Sequence, residues 1–138
     1  MKTFSKHLFV LIATMMLFTM SSCDDKEELE YNLPGTWYTE ENIDFGADVW
    51  GSGTIMTFNQ NHQGTIGTST DYLVFEWRWL TGYKYDTTME LHFINDGSYA
   101  YIEGAEAGSR TFSGVWYNSY DDFVDGAYGQ YFFMRRAN

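Results

Sequence analysis

The chain is poor in cysteine, proline and basic residues, and each scarcity closes off a class of protein. With one thiol, Cys23, no internal disulfide can form, which excludes a disulfide-stapled scaffold. His62 and His92 have no cysteine or histidine neighbour at metal-ligand spacing, so no zinc site is expected. Asp121, Asp122, Asp125 and Gly126 lack the twelve-residue calcium-loop pattern, and no bound metal or cofactor is expected. Eight Lys and Arg stand against 19 Asp and Glu, a formal charge of −11, which argues against a nucleic-acid partner. Nucleophile-elbow and triad signatures are missing. Carboxylates such as Glu76 and Glu90, which would face each other across strands to act as acid and base, fall on polar strand faces where carboxylates are ordinarily solvated. A non-enzymatic protein is the expectation. The longest apolar run, Leu8 to Met20, is 13 residues, short of the roughly 20 that a helix needs to cross a bilayer.

That run has a second meaning in its context. Lys2, Lys6 and His7 precede it and Ser21-Ser22-Cys23 follows, the order of a cleaved export leader spanning residues 1–22. Met20-Ser21-Ser22-Cys23 resembles the lipobox of bacterial lipoproteins, in which the cysteine takes a diacylglyceryl group and becomes the new N-terminus. The resemblance implies lipidation at Cys23 and attachment to the outer membrane of a Gram-negative bacterium. Two or more acyl chains anchor stably at about 0.8 kcal/mol per buried methylene. Asp24 to Glu30 reads as a solvated acidic tether, and residues 23–32 would span at most roughly 35 Å. Acidic residues directly after the lipidated cysteine also resemble an export signal that sends lipoproteins to the cell surface. When the leader departs with Lys2 and Lys6, the formal charge moves from −11 to −13. Such a protein is repelled by anionic lipid surfaces, so the acyl group must supply the attachment.

Residues 33–138 suffice for one domain with a single modest core. One proline, 13 glycines and 27 aromatic rings favour pleated, half-buried segments over long helices. Eight strands are expected: Gly35 to Glu40, Gly53 to Asn59, Gly64 to Ser69, Leu73 to Leu80, Thr88 to Ile94, Ser98 to Glu103, Arg110 to Tyr117 and Tyr128 to Arg135. In the fourth, Phe75, Trp77 and Trp79 share the core face opposite Glu76 and Arg78; in the fifth, Met89, Leu91 and Phe93 oppose Glu90 and His92. Asn95-Asp96-Gly97 supplies the tight turn between the fifth and sixth. No helix is expected. An all-β, antiparallel up-and-down meander of this length most economically closes into a small barrel, with an open curved sheet as the alternative.

Leu33-Pro34-Gly35-Thr36-Trp37, opening the first strand, resembles the G-x-W signature of lipocalins. The closer resemblance, over residues 33–138, is to small lipocalin-like domains of bacterial lipoproteins. It implies that Gly35 and Trp37 close one end of the barrel and that an arginine near the last strand, Arg135 or its neighbour Arg136, covers the indole. A cation over an indole face contributes about 0.5 to 2 kcal/mol.

For binding, the positive features are rings in the expected loops: Phe45 and Trp50 in the first, Tyr83 and Tyr85 in the next, Tyr120 and Phe123 in the last. Rings at a barrel mouth either cap the core or contact a ligand. Three partners fit this reading besides the membrane: a small apolar molecule within the barrel, a glycan stacked on loop rings, or an envelope protein engaging the surface without a cavity.

Overall fold

A computed structural model describes residues 26–41, 43, 45, 53–80 and 87–137. Cys23, Trp50, Tyr83 and Tyr85 lie outside them, as do the leader and the first residues of the expected tether.

Eight antiparallel strands follow one another around a closed barrel: β1 (Gly35–Tyr38), β2 (Ile55–Phe58), β3 (Gln63–Gly67), β4 (Tyr72–Trp79), β5 (Met89–Phe93), β6 (Tyr99–Ala107), β7 (Thr111–Tyr117) and β8 (Gln130–Arg136). Alternation decides which side chains enter. Met56, Phe58, Ile66, Phe75, Trp77, Met89, Leu91, Phe93, Ile102, Phe112, Trp116, Phe132 and Met134 are all buried, and their rings meet edge to face. Glycine makes room where two walls press together: a Cβ on Gly64 would lie 2.4 Å from the Thr57 carbonyl oxygen and 2.6 Å from the Phe75 ring.

The hairpin at Asn95-Asp96-Gly97 forms as the sequence indicates. Gly97 takes a φ of 72°, and the Asp96 carboxylate accepts from the Ser98 N–H at 2.9 Å and its hydroxyl at 2.7 Å. These bonds hold the Asp96 carboxyl below its ordinary range. The sixth strand runs four residues further than expected, because a register shift between Glu103 and Glu106, with Gly104 at φ 61°, absorbs the break in alternation.

The all-β barrel forms as expected, and two short helices accompany it. The first, α1 (26–32), occupies most of the stretch read as a solvated tether. Its charges face water, but Leu29 and Leu33, four residues apart, are buried with Trp37 beneath the barrel, and the Leu33 N–H donates to the Leu29 carbonyl at 2.9 Å. Pro34 then ends it. The second, α2 (Tyr120–Asp125), lies between β7 and β8; the Ser119 hydroxyl accepts from the Asp122 N–H at 3.1 Å and Gly126 closes it at φ 65°. Asp121 and Asp122 sit in its first turn, where carboxylates complement the helix dipole.

The arginine that covers Trp37 is Arg136, not Arg135. Its guanidinium carbon lies 4.2 Å from the ring centroid. Strand parity is the reason: Arg136 continues the inward set of Phe132 and Met134, whereas Arg135 follows Tyr131 and Phe133 outward and is exposed. Arg136 also donates from Nε to the Ser109 carbonyl at 2.8 Å, from Nη1 to that of Pro34 at 3.3 Å, and from Nη2 to that of Asn32. The Trp37 indole N–H donates to the Leu33 carbonyl at 3.0 Å. One cation thus ties the last strand to the end of α1.

Candidate binding site on the barrel wall

The described loop rings do not gather at one mouth. Phe45 is buried, edge-on to Trp116 at 4.8 Å, and caps the core with Ile43. Phe123 stacks on Tyr101 at 4.9 Å with 7° between planes, and with Tyr117 forms a small second core under α2, outside the barrel. Tyr120 alone keeps most of its ring exposed. Inside the barrel the described rings of Phe58, Phe75, Phe112 and Phe132 meet edge to face.

Polar chemistry gathers instead on the outer wall. Register places Gln63 beside Glu76, Glu76 beside His92, and His92 beside Tyr99, a row across β3, β4, β5 and β6. A second row, two residues nearer the α1 end on β4 and β5, runs from Arg78 through Glu90 and Tyr101 to Tyr117. At roughly 4.8 Å per strand, four positions span about 14 Å. The first row and the head of the second line a groove of about 440 Å³ that reaches His62 and Trp77 at the β2–β3 turn. Glu76 and Glu90 do not face each other; their cross-strand partners are His92 and Arg78.

Arg78 Nε donates to Glu90 Oε1 at 2.8 Å, and the Tyr101 hydroxyl donates to Glu90 Oε2 at 2.9 Å. Partial burial pushes the Glu90 carboxyl up, but these two bonds and the guanidinium charge outweigh it and hold the group below its ordinary value. Arg78 is raised by the same bond and charge. Burial first, and then the bond to Glu90, push the Tyr101 phenol upward. Glu90 is therefore a fixed acceptor at neutral pH, not a proton donor.

Rings complete the groove. His92 stacks on Tyr99 at 4.5 Å with 13° between planes, and His62 on Trp77 at 4.2 Å with 4°. His62 sits at φ 67°, a conformation that costs a non-glycine residue on the order of 1 to 3 kcal/mol. It is pinned there: its N–H reaches Asn59 O at 3.1 Å, its carbonyl accepts from Trp77 N at 2.9 Å, and Nδ1 lies 3.2 Å from Trp77 O. The Trp77 indole nitrogen is buried without a hydrogen-bond partner among the described residues. Among the described residues no three His, Cys, Asp or Glu side chains converge to hold a metal ion.

Alternation alone puts Glu76, Arg78, Glu90 and His92 on the polar face, but only the strand pairing shows that they adjoin. The observed turns, Asn59 to His62 and Asn95 to Ser98, fix that pairing. Comparison with protein-family models, with curated proteins and with solved structures finds no match. Among the described residues no helix is long and apolar enough to cross a membrane.

Proposed function

We propose that this chain is a lipid-anchored, non-enzymatic lipoprotein of the outer membrane of a Gram-negative bacterium, facing the cell surface, that binds glycan through the wall of its barrel. The observation that carries the reading is the groove itself, where ring faces at His92–Tyr99 and His62–Trp77 flank fixed polar groups on rigid strands. Sugars present apolar ring faces edged with hydroxyls, and such a mixture of stacking surface and fixed acceptors matches them. Phe58, Phe112 and Phe132 meet edge to face inside the barrel, which favours its wall over its interior as the place for a ligand. A lipocalin-like barrel serves here as a stiff frame, and Cys23 as the residue that fixes it to the membrane.

Affinity electrophoresis of residues 23–138 through gels containing neutral polysaccharides tests the reading. The parent should be retarded, and a Glu76→Gln, His92→Ala double variant with an unchanged circular dichroism spectrum should run freely. Unretarded migration of the parent through every polysaccharide would end it. An envelope protein as partner is the second reading, favoured by Tyr128 and Tyr131, which stand 86% and 62% exposed away from the groove.

A further inference from the structure

The wall groove does not end at His62. A second hollow of about 410 Å³ begins on the other side of the same stacked pair, with Glu30 and Tyr31 of α1 along one side and Gln60 and Trp79 along the other. His62 and Trp77 line both spaces. Resting on the saccharide reading of the groove, we infer that the ligand is a linear oligosaccharide of neutral or amino sugars, running over His62 from the His92–Tyr99 stack to Tyr31.

Three observations carry this. First, His62 and Trp77 form a fixed plate at the junction, and its outer imidazole face is open to solvent while its inner face is covered by indole. A ring lying over the plate would join a sugar in the first space to one in the second without a break. Second, the further hollow has rings of its own: Trp79 is partly exposed and Tyr31 is 86% exposed. An exposed tyrosine on a short helix has no packing role, and here it stands beside a hollow that continues a groove. Third, the Trp77 indole N–H at the junction, on a residue 6% exposed, has no acceptor among the described residues. Among those residues it is the one buried polar side-chain atom left without a partner, and it lies where the two spaces meet.

Charge narrows the class of sugar. Among the described residues Glu30, Glu76 and Glu90 line the continuous path against one cation, Arg78, which Glu90 already binds. Uronic acids and sulfated sugars meet net repulsion there, whereas an ammonium on an amino sugar meets attraction.

Titration calorimetry with neutral hexose oligomers and glucosamine oligomers of one to six units, and with galacturonate oligomers, tests the inference. Affinity should rise about tenfold or more between two and four units, and Tyr31→Ala should return the four-unit ligand to the two-unit affinity. The same variant should leave the two-unit ligand unchanged, and Tyr31→Phe should behave as the parent. If short and long oligomers bind equally, if Tyr31→Ala has no effect on the longer ones, or if galacturonate binds best, the inference is overturned while saccharide binding stands. If the parent binds no sugar of any length, both fall.

Discussion

The guanidinium of Arg136 lies over the indole of Trp37 at 4.2 Å, and the two residues are paired neighbours across the β1–β8 seam. A lysine could keep the charge but not the planar contact or the three carbonyl bonds. Urea denaturation should show Arg136→Ala less stable by about 3 kcal/mol and Arg136→Lys by about 2 kcal/mol, from one stacked cation and charged hydrogen bonds. Arg135→Ala should stay within about 0.5 kcal/mol, as exposed substitutions do. Equal losses at both positions would contradict the assignment of the clamp to Arg136.

The Glu90 network gives stability a pH dependence of known sign. The folded Glu90 carboxyl is held below its ordinary 4.5, so its contribution is present at neutral pH and disappears as acidification carries the pH down through the folded value. The Tyr101 and Tyr117 phenols are pushed above their ordinary 10.0, by burial first and then by bonds to Glu90 and Glu103. Unfolded chains ionise these phenols first, so stability falls as the pH climbs past 10.0. Denaturation midpoints collected across the range should reveal both limbs, with the alkaline one reduced in Tyr101→Phe. An unaltered alkaline limb in that variant would exclude Tyr101 as its source.

Gly64 and Gly108 predict opposite outcomes for the same substitution. Gly64→Ala forces a methyl against the Thr57 carbonyl and the Phe75 ring, so a loss of about 2 kcal/mol is expected from overpacking. Gly108→Ala meets nothing within 4 Å and should be neutral to about 0.5 kcal/mol. Thermal denaturation of the two variants side by side is sufficient.

Phe45 and Tyr120 separate a core cap from a surface ring. Phe45 is 8% exposed, and Phe45→Ala should cost about 3 kcal/mol or more. Tyr120 is 59% exposed and touches Tyr101 edge-on, so Tyr120→Ala should cost about 1 kcal/mol or less. A stable Phe45→Ala variant would mean that the first loop does not plug the barrel.

Replacing Cys23 with alanine should move the protein from the membrane fraction to the soluble fraction without loss of fold. Firm attachment of that variant after a carbonate wash would refute lipid anchoring at this residue.

Most strand positions were legible because alternation is a local property: Phe75, Trp77 and Trp79 declare an inward face whatever their partners. The helices were harder to read. In α1 the apolar pair Leu29 and Leu33 is hidden among charges, and its meaning depends on burial with Trp37, which no local pattern reveals. In α2, aromatic residues obscure a signal that was present, Ser119 three places before Asp122 with Gly126 beyond. Parity along β8 already favoured Arg136 over Arg135. The candidate site was illegible for a different reason, since Gln63, Glu76, His92 and Tyr99 adjoin only once four strands are in register, and His62 joins them from a turn.

The β1–β8 seam rests on two paired positions, Trp37 with Arg136 and Tyr38 with Arg135. Every other strand pair can zip from its own hairpin, but this one must bring together residues about a hundred positions apart, and the entropy of closing so long a loop is recovered only at the end. The same pair that closes the seam covers the indole and clamps the first helix, so closing the barrel and completing its base are one event.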